Sequence, residues 1–217
     1  NLTLPEALGF LPGQYVNLGV PGTDQTRAYS FSSLPGETDV SFLIRNVPNG
    51  LMSTYLTSEA KPGDTMSVTG PIGSFYLRAV ERPVLLLAGG TGLAPLLSML
   101  KQLKKEPTEH PVFLLYGVTG TADLVKLDEL SAFTSELENV NFATVLVDKE
   151  SGHERIGFVT QHMDAVPFEI ESADVYLCGP PPMVDAVRNY FTESGTQPNA
   201  FYYEKFNPST PKQESAA

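Results

Sequence analysis

Apolar and polar positions follow two different rhythms along the chain, and the change falls near Arg82. Before it, short β-type segments are cut by turn signals. Residues 14–18, 28–32, 40–45 and 65–69 read as strands, punctuated by Pro-Gly at 12–13, 21–22, 35–36 and 62–63. One short helix fits at 51–58. This rhythm predicts a small antiparallel β-barrel or sandwich. Roughly five strands fit before Leu77, fewer than closure of such a barrel usually takes. The simplest expectation is a barrel lacking N-terminal strands.

After Arg82 the period alternates. Residues 84–88 are an apolar run suited to a strand buried on both faces. Leu96, Leu97, Leu100 and Leu103 space a helix over 95–105. Further strands are expected at 112–116, 141–147, 174–178 and 200–203, and further helices at 127–137 and 182–192. Strands alternating with helices predict an α/β doubly wound parallel sheet with right-handed crossovers. The expected organisation is therefore two domains: an antiparallel β-barrel over 1–81, then the doubly wound sheet over 82–206. Residues 207–217, rich in Pro, Ser, Lys and Glu, read as a flexible C-terminal tail.

Composition narrows the function classes. With 41% hydrophobic and 18% charged residues in 217, general disorder is excluded. Lys and Arg total 14 against 25 Asp and Glu, a net charge of −11. Such a field repels nucleic acid and anionic membranes; it suits solubility or docking to a basic partner. The one cysteine, Cys178, permits neither an intramolecular disulfide nor a four-thiolate iron–sulfur cluster within the chain. His110, His153 and His162 lack ligand spacing and read as surface or satisfied side chains, so no metal site is expected. The longest uncharged stretch, 83–100, is interrupted by Pro83, Gly89, Gly90, Gly92 and Pro95. A strand, a turn and a helix explain it better than a membrane span. The first residues lack the basic start of a signal peptide, and a cytoplasmic location is expected. Residue 1 is not Met, so the gene product can begin upstream.

Five motifs carry candidate chemistry. Gly89-Gly90-Thr91-Gly92-Leu93-Ala94-Pro95 follows a buried strand and opens a helix, where open α/β sheets bind ligands. Glycines let the backbone approach a pyrophosphate, and the helix start offers unpaired N–H groups. The plain alternative is a glycine corner. Arg27-Ala28-Tyr29-Ser30 alternates so that Arg27 and Tyr29 share a face. A flat ring beside a guanidinium suits a ring system joined to phosphates, although exposed Arg and Tyr alternate on many strands. Gly50-Leu51-Met52-Ser53 makes a second helix start, with Ser53 equally readable as a cap. Cys178-Gly179-Pro180-Pro181-Pro182-Met183 ends a predicted strand at the same sheet edge as the Gly89 turn; a cysteine there is otherwise a small buried hydrophobe. Tyr203-Glu204-Lys205-Phe206 closes the series.

In this order, R-x-Y-S, G-x-x-S-x-x-L, G-G-T-G-x-x-P, C-G-P and E-x-F resemble the ferredoxin–NADP⁺ reductase superfamily, over residues 9–206. Finer detail is similar to the reductase components of benzoate, toluate and anthranilate 1,2-dioxygenases: Arg-Ala-Tyr-Ser-Phe-Ser-Ser, Ile44-Arg45-Asn46-Val47-Pro48, Gly-Pro-Ile-Gly-Ser-Phe-Tyr-Leu and Tyr-Glu-Lys-Phe. The resemblance implies FAD on the barrel. Arg27 would hold its pyrophosphate, Tyr29 would stack on the isoalloxazine, and Ser30 would lie near flavin N5. Ile44, Arg45, Gly50, Met52 and Ser53 would line the flavin nucleotide, and Phe206 would cover the flavin face. Gly89, Gly90, Thr91, Gly92 and Pro95, with Gly179, Pro180 and Met183, would hold NAD. Ser30, Cys178 and Glu204 would form the catalytic set that orients the nicotinamide.

Asp123, shortly after the second strand of the trailing half, suits ribose hydroxyls and repels a 2′-phosphate; no Arg follows Tyr116 there, and Lys126 is the one nearby cation. NADH is therefore expected over NADPH. The activity implied is that of an NADH-dependent ferredoxin reductase. The partners implied are a [2Fe–2S] ferredoxin domain or protein and a terminal oxygenase, with the cluster on an upstream domain or a separate chain. The alternatives are a reductase feeding a diiron monooxygenase or a globin, and a non-catalytic nucleotide-binding module.

Overall fold

The computed structural model describes residues 1–206; the expected tail at 207–217 lies outside the described residues. The leading half holds short strands β1 (Leu2–Thr3), β2 (Tyr15–Gly19), β3 (Thr26–Ser30), β4 (Asp39–Val40) and β5 (Val68–Ile72), with one helix, α1 (Leu51–Ser58). β2 lies between β3 and β5 in an antiparallel sheet, and β1 pairs antiparallel with β4. A bridge from Phe31 to Phe42 ties the end of β3 to the chain after β4. Val16 and Leu18, two residues apart on β2, turn inward with Phe31, Val40 and Met52. Phe10 stacks on Phe31 with ring centroids 3.9 Å apart.

Two strands differ from expectation. The run at 40–45 keeps ladder pairing only at its start. The Ser41 N–H is taken by Ser33 Oγ (3.1 Å) instead of a strand carbonyl, and Asn49, at φ 57°, turns the chain beyond it. The strand expected at 65–69 instead occupies Val68–Ile72, running through Gly70-Pro71. Tyr15 pairs with Ile72 and Asn17 with Thr69, so Gly70 and Pro71 sit across a bulge from Val16. A bulge is where a strand tolerates a residue with no N–H to donate.

The trailing half alternates β6 (Val84–Gly89), α2 (Leu93–Lys105), β7 (Val112–Val118), α3 (Leu127–Glu136), β8 (Val140–Leu146), β9 (Asp174–Gly179), α4 (Pro181–Ser194) and β10 (Ala200–Lys205). The five strands form one parallel sheet in the order β10-β9-β6-β7-β8. Every residue of β6 and β9 is buried, which is why their sequences are apolar throughout rather than alternating. Leu86 and Ala88 of β6 pack with α2 and α3, while Leu85 and Leu87 pack with α4. Both faces are thus covered. Between β8 and β9 the pattern predicts no element, and the chain there makes four single 3₁₀ turns. The chain leaves β6 towards β7 and later returns to the other side of β6 as β9. That reversal opens a crevice at the carboxyl ends of β6 and β9, the usual ligand position in such sheets. No helix of the described residues is long and apolar enough to cross a membrane.

Candidate active site at the sheet switch point

Gly89 ends β6, residues Gly90–Gly92 make one 3₁₀ turn, and α2 begins at Leu93. The glycines are required for different reasons. A Cβ on Gly89 would strike Pro180 Cδ at 2.8 Å and the Met183 sulfur, and one on Gly92 would strike the Cys178 carbonyl. These two let the β9 turn pack against the β6 turn. Gly90 alone faces open space, at φ 54°, a left-handed conformation that favours glycine. The open face and the first N–H groups of α2 are what an anionic group would meet. Pro95 lies in the first turn of α2, where a missing N–H costs nothing. Across the crevice, Gly179 precedes Pro180, the N-cap of α4, with Met183 in its first turn.

Cys178, Glu204 and Ser30 come together from three strands. Parallel pairing sets Cys178 of β9 opposite Glu204 of β10. Ser30, the last residue of β3, brings its hydroxyl to the Glu204 carboxyl. Burial pushes the Glu204 carboxyl up to about 7, and the Ser30 hydroxyl pulls it back in part. Glu204 Oε2 is buried with no hydrogen-bond partner among the described residues. Cys178 is 0% exposed, and burial, then the neighbouring Glu204, pushes its thiol well up. It is a neutral thiol packed in the core, not an activated thiolate. Phe206 follows β10, its N–H held by the Gly179 carbonyl at 2.9 Å.

On the leading half, Arg27 and Tyr29 share a half-buried face of β3. Burial raises the Tyr29 phenol, and Arg27 beside it partly offsets that. The Arg27 guanidinium is folded along its own strand, donating to Thr26 O (2.8 Å) and Gln25 Oε1 (3.1 Å). Gly50 is the N-cap of α1. Met52 is buried in the core of this half. Ser53 Oγ accepts from Val47 N–H (3.0 Å) and donates to Arg45 O (3.2 Å). Its hydroxyl ties down the preceding loop, so an anion at this helix start would be met chiefly by backbone N–H groups. Ile44 is half-buried on that loop and Arg45 is exposed.

Asp123 closes the Thr121–Asp123 turn after β7, with Oδ2 accepting the Gly120 N–H at 3.1 Å. Its Oδ1 lies 3.9 Å from Arg45 Nη2. Sequence reasoning, confined to residues near Asp123, missed this cation arriving from the other half. The cation it did weigh, Lys126, pairs with Glu129 at 3.2 Å. Also missed were Ser98 and Lys101 of α2, which donate to the carbonyls of Ser33 and Ser32 (2.7 Å each). One signal was readable: Ser98 is the lone polar residue in the apolar run Leu93–Leu100. The side chains of His153 and His162 are hydrogen-bonded, to Thr144 and the Ile156 carbonyl among others.

A parallel sheet with its crevice at the switch point, joined to antiparallel strands that bring Ser30 beside Glu204, has the two-domain form of a nucleotide-dependent oxidoreductase. Residues 1–76 match the oxidoreductase FAD-binding domain, and residues 86–189 match the oxidoreductase NAD-binding domain. The chain thus carries an oxidoreductase FAD-binding domain followed by an oxidoreductase NAD-binding domain. It is 54% identical over 199 residues to the toluate 1,2-dioxygenase electron transfer component of Pseudomonas putida, covering 92% of this chain and 59% of that protein. It is 48% identical over 201 residues to the 2-halobenzoate 1,2-dioxygenase electron transfer component of Burkholderia cepacia, with coverage of 92% and 59%. The chain therefore spans about three fifths of these relatives. Among solved structures, the Amycolatopsis cytochrome P450 reductase GcoB superposes with a TM-score of 0.84 at 34% identity, over 95% of this chain and 64% of that one.

Proposed function

We propose that the chain is the FAD- and NADH-binding part of an electron transfer component that serves a ring-hydroxylating aromatic dioxygenase. In this reading electrons pass from NADH through FAD to a [2Fe–2S] ferredoxin domain or protein, in the cytoplasm. Residues 1–81, antiparallel strands of a partial β-barrel, bind FAD, and residues 82–206 hold the nucleotide. The observation that carries the reading is the meeting of Ser30, Cys178 and Glu204 at one crevice, with the Glu204 Oε2 atom buried and unpartnered. A buried polar atom without a partner costs free energy until something pairs with it. A carboxamide N–H suits a carboxylate oxygen, and nicotinamide carries one.

Bound FAD supplies the redox chemistry, taking two electrons at once and releasing them singly. The chain supplies placement. Tyr29 presents a flat ring for the flavin to stack on. Arg27 swings from Gln25 to a phosphate, trading a neutral acceptor for a charged one. The N–H groups at Gly50 and the α1 start hold the same pyrophosphate. Gly90, Thr91 and the α2 start hold the pyridine-nucleotide diphosphate, with Gly89, Gly92, Gly179, Pro180 and Met183 shaping the turn behind it. Cys178 acts as a small neutral wall. Asp123 accepts from ribose hydroxyls and selects NADH.

The likeness to a P450 reductase supports a second reading, in which the acceptor is a different oxygenase. One experiment tests the common core. The purified chain is loaded with FAD, made anaerobic and mixed with NADH. Bleaching of the flavin is expected; a chain that takes up no FAD, or whose flavin stays oxidised, overturns the proposal. Mixing the reduced chain with ferredoxin-type and P450-type acceptors then separates the two readings.

A further inference from the structure

Tyr29 and Ser30 lie on β3, and the Gly90–Gly92 turn lies at the head of α2. They belong to different halves of the molecule, so something must set the reach between them. Two residues beyond Ser30, the chain passes α2 and is gripped by it. Ser98 Oγ donates to Ser33 O at 2.7 Å, and Lys101 Nζ donates to Ser32 O at 2.7 Å. Ser98 and Lys101 are three residues apart, hence on one face of the helix. Ser98 is 0% exposed and Ser32 and Ser33 are 3% and 6% exposed. Lys101 is held from its other side by Glu129 of α3 at 2.9 Å. Charge pairing with Glu129 offsets the partial desolvation of the half-buried Lys101 ammonium; burial opposes ionisation of the Glu129 carboxyl, but Lys101 and Lys126 outweigh it and hold it below the usual range.

The gripped segment is itself stiff. The Ser32 N–H donates to Ser41 O at 2.8 Å, and the hydroxyls of Ser32 and Ser41 are 2.8 Å apart. Phe31, between Ser30 and Ser32, is buried and stacked on Phe10. A displacement of Ser32 and Ser33 is therefore passed to Ser30 and Tyr29 rather than absorbed. One rigid helix carries the phosphate turn at its N-terminus and, in its second and third turns, the two donors that hold the flavin-side strand.

We infer that Ser98 and Lys101 are positioning residues for electron transfer from NADH to FAD, fixing the distance between the β3 strand end and the α2 nucleotide turn. This rests on the function proposed above. The step is NADH + FAD + H⁺ → NAD⁺ + FADH₂, whose rate depends steeply on the approach of the two rings. The residues touch neither ring.

The test compares the FAD-loaded chain with Lys101→Met, Ser98→Ala and the double variant, using Lys101→Arg as the conservative control. In anaerobic rapid mixing at saturating NADH, the double variant is expected to reduce its flavin on the order of tenfold more slowly. Its dissociation constants for FAD and NADH change less than about threefold, because the binding groups remain. The long-wavelength absorbance of stacked nicotinamide and flavin weakens, and Lys101→Arg restores the rate. In the chain without cofactor, amide hydrogen exchange rises at residues 31–33 in the double variant. Reduction by dithionite, which needs no nicotinamide approach, is unchanged. Parental rates and absorbance in the double variant overturn the inference while leaving the proposed function intact. Slowing by dithionite as well, or loss of FAD, also overturns it, since the contacts then hold the fold and not the reach. Failure of the parent chain to be reduced by NADH overturns the function itself.

Discussion

The two helix starts, one in each half, are built differently. At α2 the turn is pinned by packing: Gly89 and Gly92 lie so close to β9 and its turn that no side chain fits. At α1 the turn is pinned by one hydroxyl, Ser53 Oγ, bridging Val47 and Arg45 in a loop that is otherwise largely exposed. The α2 turn is thus rigid by close contact with the sheet, whereas the α1 turn depends on a few polar bonds and can adjust to its ligand. A nucleotide that arrives and leaves suits the rigid turn. A cofactor that stays suits the adjustable one.

Substitution of the α2 glycines gives the largest expected effect. Gly92→Ala forces a methyl into the Cys178 carbonyl and should cost more than about 3 kcal/mol. Gly90→Ala meets open space and should cost only about 1 kcal/mol, the strain of a left-handed alanine. Urea unfolding of both variants measures the gap. Equal losses would show that the turn is not held by β9.

Glu204 comes next, because the leading half buries it. Its carboxyl is raised to about 7 from the ordinary 4.5. The folded chain therefore holds a proton there that the unfolded chain releases, and stability falls as pH rises from about 4.5 to about 7. The contribution is at most on the order of 3 kcal/mol. Glu204→Gln should remove that slope, so parent and variant diverge in urea midpoint between pH 5 and 8. Parallel pH profiles would mean that Glu204 is solvated as the halves move apart.

Arg27→Ala probes the adjustable side. The lost phosphate contact should weaken FAD retention on dialysis by about tenfold while leaving NADH affinity within about threefold. Unchanged flavin content would remove Arg27 from the site.

The same contrast explains what the sequence made legible. In the trailing half, strands buried on both faces and a helix with apolar spacing leave strong periodic signals. The strands from 84 and 112 and the helix at 127 were readable to within a few residues. In the leading half, short strands ended by side-chain-to-backbone bonds leave weak ones. Nothing in the run 40–45 announced that Ser33 Oγ would take the Ser41 N–H. The motif residues could be picked out, but not their division of labour. A glycine needed for packing and one facing open space look identical on paper. Contacts across the halves, such as Ser98 with Ser33, separated by 65 positions, have no local signature at all.

Arg45 and Asp123 are the smallest and sharpest case. They belong to opposite halves, and their 3.9 Å separation, largely exposed to water, makes them a weak pair in stability terms. Their effect should appear in nucleotide choice instead. Under the proposed function Asp123 would repel a 2′-phosphate, and it also pairs with Arg45, a cation that could otherwise meet one. Asp123→Ala should therefore shift preference towards NADPH by about fivefold, as the ratio of kcat/KM values. If Arg45 is the group released, adding Arg45→Ala should take back most of that gain. The cycle of single and double variants separates the two contributions. A full shift in the double variant would assign discrimination to repulsion by Asp123 alone, and the leading half would then take no part in choosing the nucleotide.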